Sequence, residues 1–571
     1  MSKPAKQIHL AAHFPGVNNT TVWSDPAAGS HIEFDSFRRF AQTAERGKFD
    51  FLFLAEGLRL REQNGQIYDL DVVGRPDTFT VLAALAAVTD HLGLTGTINS
   101  TFNEPYEVAR QFASLDHLSG GRAAWNVVTS WDAFTGENFR RGGYLAQGDR
   151  YERARTFLRT ANELWDSWHG DEVLADADGG QFLSTPKAGA FTHHDRFFDI
   201  EGQFNVPRSP QGRPVIFQAG DSDEGRDFAA ASADAIFSHH STLQAGQAFY
   251  ADVKGRLARF GRTWDELLIL PAATFVLGDT DAEAADIARQ VRRAQVSPQT
   301  ALRFIEQLWN RELPDFDVDG PLPAFDPVVS DTLVSKGRAS VRQFAKDPVA
   351  LAGEWRQRAE AGHLSAREVV IEVTGRQSFI GSPQAIAAAI NDLVQADAAD
   401  GYILVPHITP GGLDPFVDRV VPLLQELGTF RADYTGTTLR DHLGLAPRGR
   451  PGTTGTTGAG STIGAADVTG GGGSPHDKHP AGRLGPRPDL VGIDRGAGAA
   501  QQHGPGAAGR VARLRPLLVR RAPPQPRRRG HLPGHGARPD RGGHLDDTAR
   551  VRRGADGAPY GAVGRRGVRP A

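Results

Sequence analysis

The residues best suited to chemistry in this 571-residue chain lie where apolar runs give way to helical patterns. One such turn is Gln218-Ala219-Gly220-Asp221-Ser222-Asp223-Glu224-Gly225-Arg226. Its small residues bring the N–H groups of a new helix together, and with the Ser222 hydroxyl these can cradle a phosphate. An ordinary N-cap, with Ser222 or Asp221 satisfying the first turn, fits the same residues, and the three acidic neighbours oppose an anion. Gln147-Gly148-Asp149-Arg150-Tyr151-Glu152 opens a second helix. Tyr151 falls in its first turn, where the hydroxyl can reach a ligand or the ring can simply pack. His193-His194 and His239-His240 invite a metal reading. No carboxylate stands at helical i, i+4 spacing from them and no H-E-x-x-H occurs, so solvated loop histidines are expected.

Other chemistry is excluded by absence. The chain contains no Cys, which removes disulfides, thiolate zinc sites, iron–sulfur clusters and cysteine nucleophiles. No G-x-S-x-G elbow, Walker A loop or G-x-G-x-x-G follows a strand pattern, so serine hydrolases, nucleotide hydrolases and Rossmann dehydrogenases lose support.

The elements that must position these residues alternate strand and helix. Strands are predicted over 7–13, 49–55, 92–98, 122–129, 213–218, 233–238, 267–277 and 401–405. Helices are predicted over 34–46, 78–89, 107–118, 150–168, 225–231, 243–260, 282–295 and 383–396. Eight strands with intervening helices point to a (β/α)8 TIM barrel of the α/β class, with an open doubly wound sheet as the alternative. Stretches at about 169–212 and 297–375 exceed ordinary loop lengths and read as insertions; helical patterns around Phe304–Trp309 and Val349–Arg358 can cap the mouth. A barrel keeps its site at the C-terminal ends of its strands. There the sequence places His13, Glu56, Asn99-Ser100-Thr101-Phe102-Asn103, Thr129-Ser130, Asp221-Ser222, His239-His240 and His407. Phe14, Trp23, Trp131 and Phe134 follow strand ends too, and suit either a planar organic ligand or core packing.

Charge divides the chain near residue 446. Residues 1–446 carry 42 basic and 59 acidic groups, whereas 447–571 carry 22 and 8. The acidic body argues against nucleic acid. No apolar run reaches a membrane span and the start lacks a signal peptide's apolar stretch, so the cytoplasm is the expected location. Residues 447–571 include 43 Gly and Pro, and such a composition cannot bury enough apolar surface to fold. A disordered tail, a basic nucleic-acid arm and off-frame translation of GC-rich DNA are the readings of that segment; no function is assigned to it.

Three blocks carry a resemblance. They are Leu118-Ser119-Gly120-Gly121-Arg122-Ala123-Ala124-Trp125-Asn126-Val127-Val128-Thr129-Ser130, then Pro207-Arg208-Ser209-Pro210-Gln211-Gly212-Arg213-Pro214-Val215-Ile216-Phe217-Gln218-Ala219-Gly220, and a third running from Gly381-Ser382-Pro383 to Thr438-Leu439-Arg440. Across about residues 7–445 the chain resembles the bacterial-luciferase-like flavin monooxygenases, in the branch of nitrilotriacetate monooxygenase component A and dibenzothiophene-sulfone monooxygenase. The resemblance implies a luciferase-like barrel over 1–446 that binds reduced FMN from a separate NAD(P)H:flavin reductase, in a homodimer. It implies that the flavin reacts with O2 to a C4a-hydroperoxide, which inserts one oxygen into a small organic substrate, with no covalent nucleophile. The implied FMN contacts are Glu56, where many relatives have Asp; Thr101; Gln147, in place of the usual His of H-x-x-R-Y; Tyr151; and Ser222. A deazaflavin (F420)-dependent oxidoreductase and a non-catalytic flavin-binding barrel are the alternatives.

Overall fold

The computed structural model describes residues 5–449, apart from 16–20, 59, 61, 64–65, 68–74, 130–137, 140–146, 241, 330–346 and 376. Eight parallel strands form the centre: β1 (His9–His13), β2 (Phe51–Leu54), β3 (Gly93–Asn99), β4 (Ala123–Val128), β5 (Val215–Gln218), β6 (Ala235–Ser238), β7 (Leu268–Leu277) and β8 (Gly401–Val405). Each pairs with its neighbours in chain order, β6 with β7 and β7 with β8, and β8 returns to β1 with His9 opposite Gly401. The sheet is therefore a closed barrel, and the open doubly wound alternative is excluded.

Helices wrap it: α1 (Phe34–Arg46), α2 (Thr78–Ala86), α3 (Pro105–Leu118), α4 (Gln147–Asp166), α5 (Asp223–Ser232), α6 (Leu243–Arg256), α7 (Asp281–Gln295), α8 (Pro298–Trp309), α9 (Pro348–Gly362), α10 (Ala366–Val373), α11 (Pro383–Gln395), α12 (Asp414–Arg419), α13 (Val421–Glu426) and α14 (Leu439–His442). Most begin as their sequences dictate. Asp77, Ser222, Thr242, Thr280, Ser297, Asp347, Ser365 and Ser382 each accept a first-turn amide through the side chain, the arrangement that satisfies N–H groups with no intrahelical partner.

Alternation along the strands sorts two cores. Phe51, Phe53, Phe217, Ile403 and Leu270 fill the barrel interior, while Leu52, Leu54, Ile216, Ile236 and Leu404 face the helices. On β3 the interior face is polar instead: Thr95, Thr97 and Asn99 are all buried, and Asn126 of β4 donates to Thr97 Oγ1 at 2.9 Å. Polarity thus enters the barrel near the C-terminal ends of β3 and β4.

The opposite end is fastened by a repeated device. Asp50, Asp234 and Asp400 each stand just before a strand and accept the backbone N–H of the neighbouring strand, from Leu10, Ile216 and Ile269, at 2.9 Å in every case. Arg431, Arg440 and Lys254 answer their charges. Leu439, Leu443 and Leu445 close this floor by joining the interior cluster. Leu439 lies so near the start of β3 that a Cβ on Gly93 would come within 2.6 Å of it.

Both insertions hold regular elements among the described residues. The first holds two hairpins, Val173–Asp176 with Gln181–Leu183 and Ala190–His194 with Asp199–Gln203. The second holds α8–α10, which bury their own apolar cluster around Trp309 and Trp355. The reading of His193 as a solvated loop residue is corrected: it lies in a strand, only 6% exposed, with Nδ1 2.6 Å from Glu163 and Nε2 2.9 Å from Asp195. His194 is exposed, as expected. Among the described residues no helix is long and apolar enough to cross a membrane, and no His, Asp or Glu cluster is arranged to hold a metal. The tail readings lie outside the described residues.

Candidate active site

The strand ends bring two groups of polar residues to the barrel mouth. In the first, Glu56 follows β2 and lies against the end of β3. The backbone N–H of Asn99 donates to its Oε2 at 3.1 Å, and Asn99 Nδ2 reaches Oε2 at 3.0 Å and Oε1 at 3.2 Å. Burial raises this carboxyl to about 7 against those hydrogen bonds, which favour the charged form. Asn99 also shapes the turn that follows it. Its Oδ1 accepts from the Phe102 amide at 2.7 Å, and its carbonyl accepts from Asn103 Nδ2 at 2.8 Å. Thr101 is buried within that turn.

In the second group, the Tyr151 hydroxyl lies 3.2 Å from Ser222 Oγ. Tyr151 is the fifth residue of α4, and Ser222 caps α5, accepting the Gly225 amide at 3.1 Å. The pair therefore flanks the positive end of α5. The acidic neighbours do not all converge on it: Asp223 turns to Arg256 of α6, 2.6 Å away. Gln147 opens α4, but its side chain lies outside the described residues.

Arg153 links the two groups. Two residues along α4 from Tyr151, it donates to the Asn103 carbonyl at 2.8 Å and sits over the Phe198 ring. The sequence places Asn99 at the mouth only as part of the strand-end run 99–103, not among the flavin contacts, and does not single out Arg153. The polar alternation Thr95-Thr97-Asn99, on a strand otherwise expected to be apolar inside, is the signal that marks Asn99.

The remaining strand ends behave variously. His13 is buried against Phe53, ring centroids 5.5 Å apart, and burial together with Arg75 and His239 pushes it down to about 3. It is therefore a neutral imidazole at ordinary pH. Burial also lowers His407. The expectation of two solvated histidines at 239–240 is corrected for the second. His239 is exposed, but His240 packs on Phe249 with centroids 4.2 Å apart. Phe14 is core, stacked on Phe37 at 4.2 Å, whereas Trp23 is exposed. Ser130, Trp131 and Phe134 lie outside the described residues.

Comparison with known proteins agrees with this architecture. Residues 14–400 match the model of the luciferase-like monooxygenases. The chain belongs to that family. This monooxygenase is 38% identical over 452 residues to N-acetyl-S-(2-succino)cysteine monooxygenase of Bacillus subtilis, covering 78% of the chain and 98% of the relative. It is 40% identical over 438 residues to nitrilotriacetate monooxygenase component A of Aminobacter aminovorans, covering 74% and 93%. Its barrel superimposes on the crystal structure of a riboflavin lyase holding modified FMN and riboflavin, with a TM-score of 0.63 and 30% identity, covering 77% of this chain and 97% of that one.

Proposed function

We propose that this monooxygenase is the oxygenase component of a two-component system, using reduced FMN from a separate NAD(P)H:flavin reductase to transfer one oxygen atom from O2 to a small organic substrate. The observation that carries the proposal is the Tyr151–Ser222 pair at the N-terminus of α5, on a barrel whose relatives include a protein holding modified FMN and one named as component A.

The residues present fit the phosphate end of such a cofactor. Gly220 and Gly225 cross so tightly that a Cβ on Gly225 would fall 3.0 Å from Gly220, and one on Gly220 would fall 2.6 Å from the Gln218 amide. No side chain stands between the backbone of this turn and a ligand at the start of α5, the setting in which helix N-termini recognise phosphate. Ser222 and Tyr151 would donate hydroxyls to the phosphate, and α5 would favour its charge.

Bound there, reduced FMN would supply the electrons that activate O2. The protein's own part is to orient the ring and to hold protons. Glu56, fixed by three hydrogen bonds from Asn99, sits near the middle of its titration at neutral pH and so can retain or release a proton at its carboxyl oxygens. His13, packed on Phe53 and neutral, adds no charge of its own to the inner mouth. Thr101, in the Asn99–Asn103 turn, and Gln147 complete the contact set we assign.

The test is equilibrium binding of FMNH2 under anaerobic conditions, followed by mixing with O2 in the presence of a flavin reductase and NADH. Tight FMNH2 binding with flavin-dependent O2 uptake is expected. Absence of FMNH2 binding sinks the proposal.

A further inference from the structure

Beside the Tyr151–Ser222 pair, between the ends of β5 and β6, lies a set of buried polar atoms that the contacts assigned above do not use. Gln218, the last residue of β5, is 4% exposed, and its Oε1 makes no hydrogen bond among the described residues. Its amide lies directly beneath the Gly220–Gly225 crossing, as the close approach of a Gly220 Cβ to Gln218 Nε2 shows. On β6, two residues beyond Gln218's register partner Ile236, Ser238 Oγ is fully buried and likewise without a partner among the described residues. Two residues further on, His240 is half-buried, and its Nε2 is also buried and unbonded.

Arg226 joins this set to the phosphate turn. Its Nε donates to the Asp221 carbonyl at 3.1 Å, and its guanidinium lies over the Phe249 ring at 4.8 Å, the same ring on which His240 packs. The turn, Arg226, Phe249 and His240 thus form one continuous cluster at the adjacent N-termini of α5 and α6. An unbonded imidazole nitrogen buried beside a guanidinium is costly by itself, and an anion at the turn would relieve it.

Resting on the FMN reading above, we propose that His240 and Gln218 form the inner wall of the phosphate cradle, with His240 a titratable ligand of the cofactor's phosphate. The charged groups facing His240 set how this would operate. Burial and Arg226 both hold the imidazole below its ordinary value. Arg226 is paired with Asp252, which also binds Arg256, and Arg256 in turn holds Asp223 and Asp227. Without a phosphate, the uncharged imidazole is therefore favoured. A bound phosphate dianion reverses the balance and draws a proton onto His240, so FMN binding takes up a proton.

The experiment compares oxidised FMN with riboflavin, which lacks the phosphate, by fluorescence titration of the full chain from pH 6 to pH 8, for wild type, His240→Leu and His240→Gln. Wild type should bind FMN more tightly as the pH falls, by up to about tenfold per unit for one linked proton, while riboflavin stays level. H240L should weaken FMN about tenfold and riboflavin less than about twofold. H240Q, which keeps a hydrogen-bonding group but cannot titrate there, should retain most FMN affinity with a flatter pH profile. An unchanged FMN-to-riboflavin ratio in H240L, or an H240Q profile as steep as wild type, overturns the assignment of His240 while leaving the flavin reading intact. Failure of wild type to bind either flavin overturns the flavin reading itself.

Discussion

The hydroxyl of Tyr151 lies 3.2 Å from the hydroxyl of Ser222, although the two residues arrive on different helices, α4 and α5. Either oxygen can donate to the other, so both can turn toward a third acceptor without loss of satisfaction. Replacing Tyr151 by Phe should keep the packing and weaken FMN by about tenfold to a hundredfold, the loss of one hydrogen bond to a charged group. Ser222→Ala should do the same and also cost about 1 kcal/mol of stability through the lost cap. In a double-mutant cycle the two losses should not add, since each hydroxyl positions the other. Titration with FMN and a thermal melt read both effects.

Glu56 yields a prediction about pH. Its carboxyl sits near 7 in the folded chain, against 4.5 as its ordinary value. The folded state therefore binds the proton more tightly than the unfolded state. This contribution to stability is fully present below about pH 4.5 and is lost as pH rises through about 7, to a total of at most about 3 kcal/mol. Glu56→Gln mimics the protonated form and removes the loss. The melting temperature of E56Q relative to wild type should therefore rise between pH 5 and pH 8. An offset that stays constant across that range contradicts the buried-acid account.

Asn99 should be more sensitive than its neighbours. It donates three of the hydrogen bonds on Glu56 and accepts one from the Phe102 amide, all at a fully buried position. Asn99→Leu keeps the backbone N–H bond to Glu56 but removes both Nδ2 contacts to it and the acceptor of the Phe102 amide, and should cost about 2–4 kcal/mol in denaturant unfolding. In the double variant with E56Q only part of that cost should return, since the Phe102 amide stays unpaired.

The floor of the barrel gives a prediction about boundaries. Leu439, Leu443 and Leu445 fill the interior, and Arg440 pairs with buried Asp234 at 3.0 Å. A chain ended after Gly449 should melt at the temperature of the full chain. One ended after Tyr434 should lose cooperative unfolding, and Leu443→Ala alone should cost about 2–5 kcal/mol. Calorimetry on the three variants decides it.

Much of this architecture was legible in the sequence, because eight apolar runs alternate with amphipathic helices and the barrel simply closes them in order. The strand-end position of Glu56 and the helix-start positions of Tyr151 and Ser222 were legible in that alternation, while their role as flavin contacts rests on the resemblance. What stayed hidden is non-local. His193 reads as a surface residue until Glu163, thirty residues earlier on α4, is brought 2.6 Å from its ring. The hairpin strand Val173–Asp176 is exposed along its whole length and carries no alternation to detect. The Glu56–Asn99 clamp joins residues 43 apart in sequence, a pairing set by the parallel register of β2 and β3 rather than by any local motif.

The three aspartates beneath the strands also bear on how the chain assembles. Asp50 binds Leu10 early in the sequence, but Asp234 waits for Arg440, and β1 cannot find its second neighbour until Gly401–Val405 has been made. During synthesis the first strands must therefore persist with an open edge for hundreds of residues, and the last leucines arrive as the seal. The pairing that closes the barrel thus joins the two ends of the body, a long-range contact of the kind that slows folding and leaves strand edges exposed meanwhile.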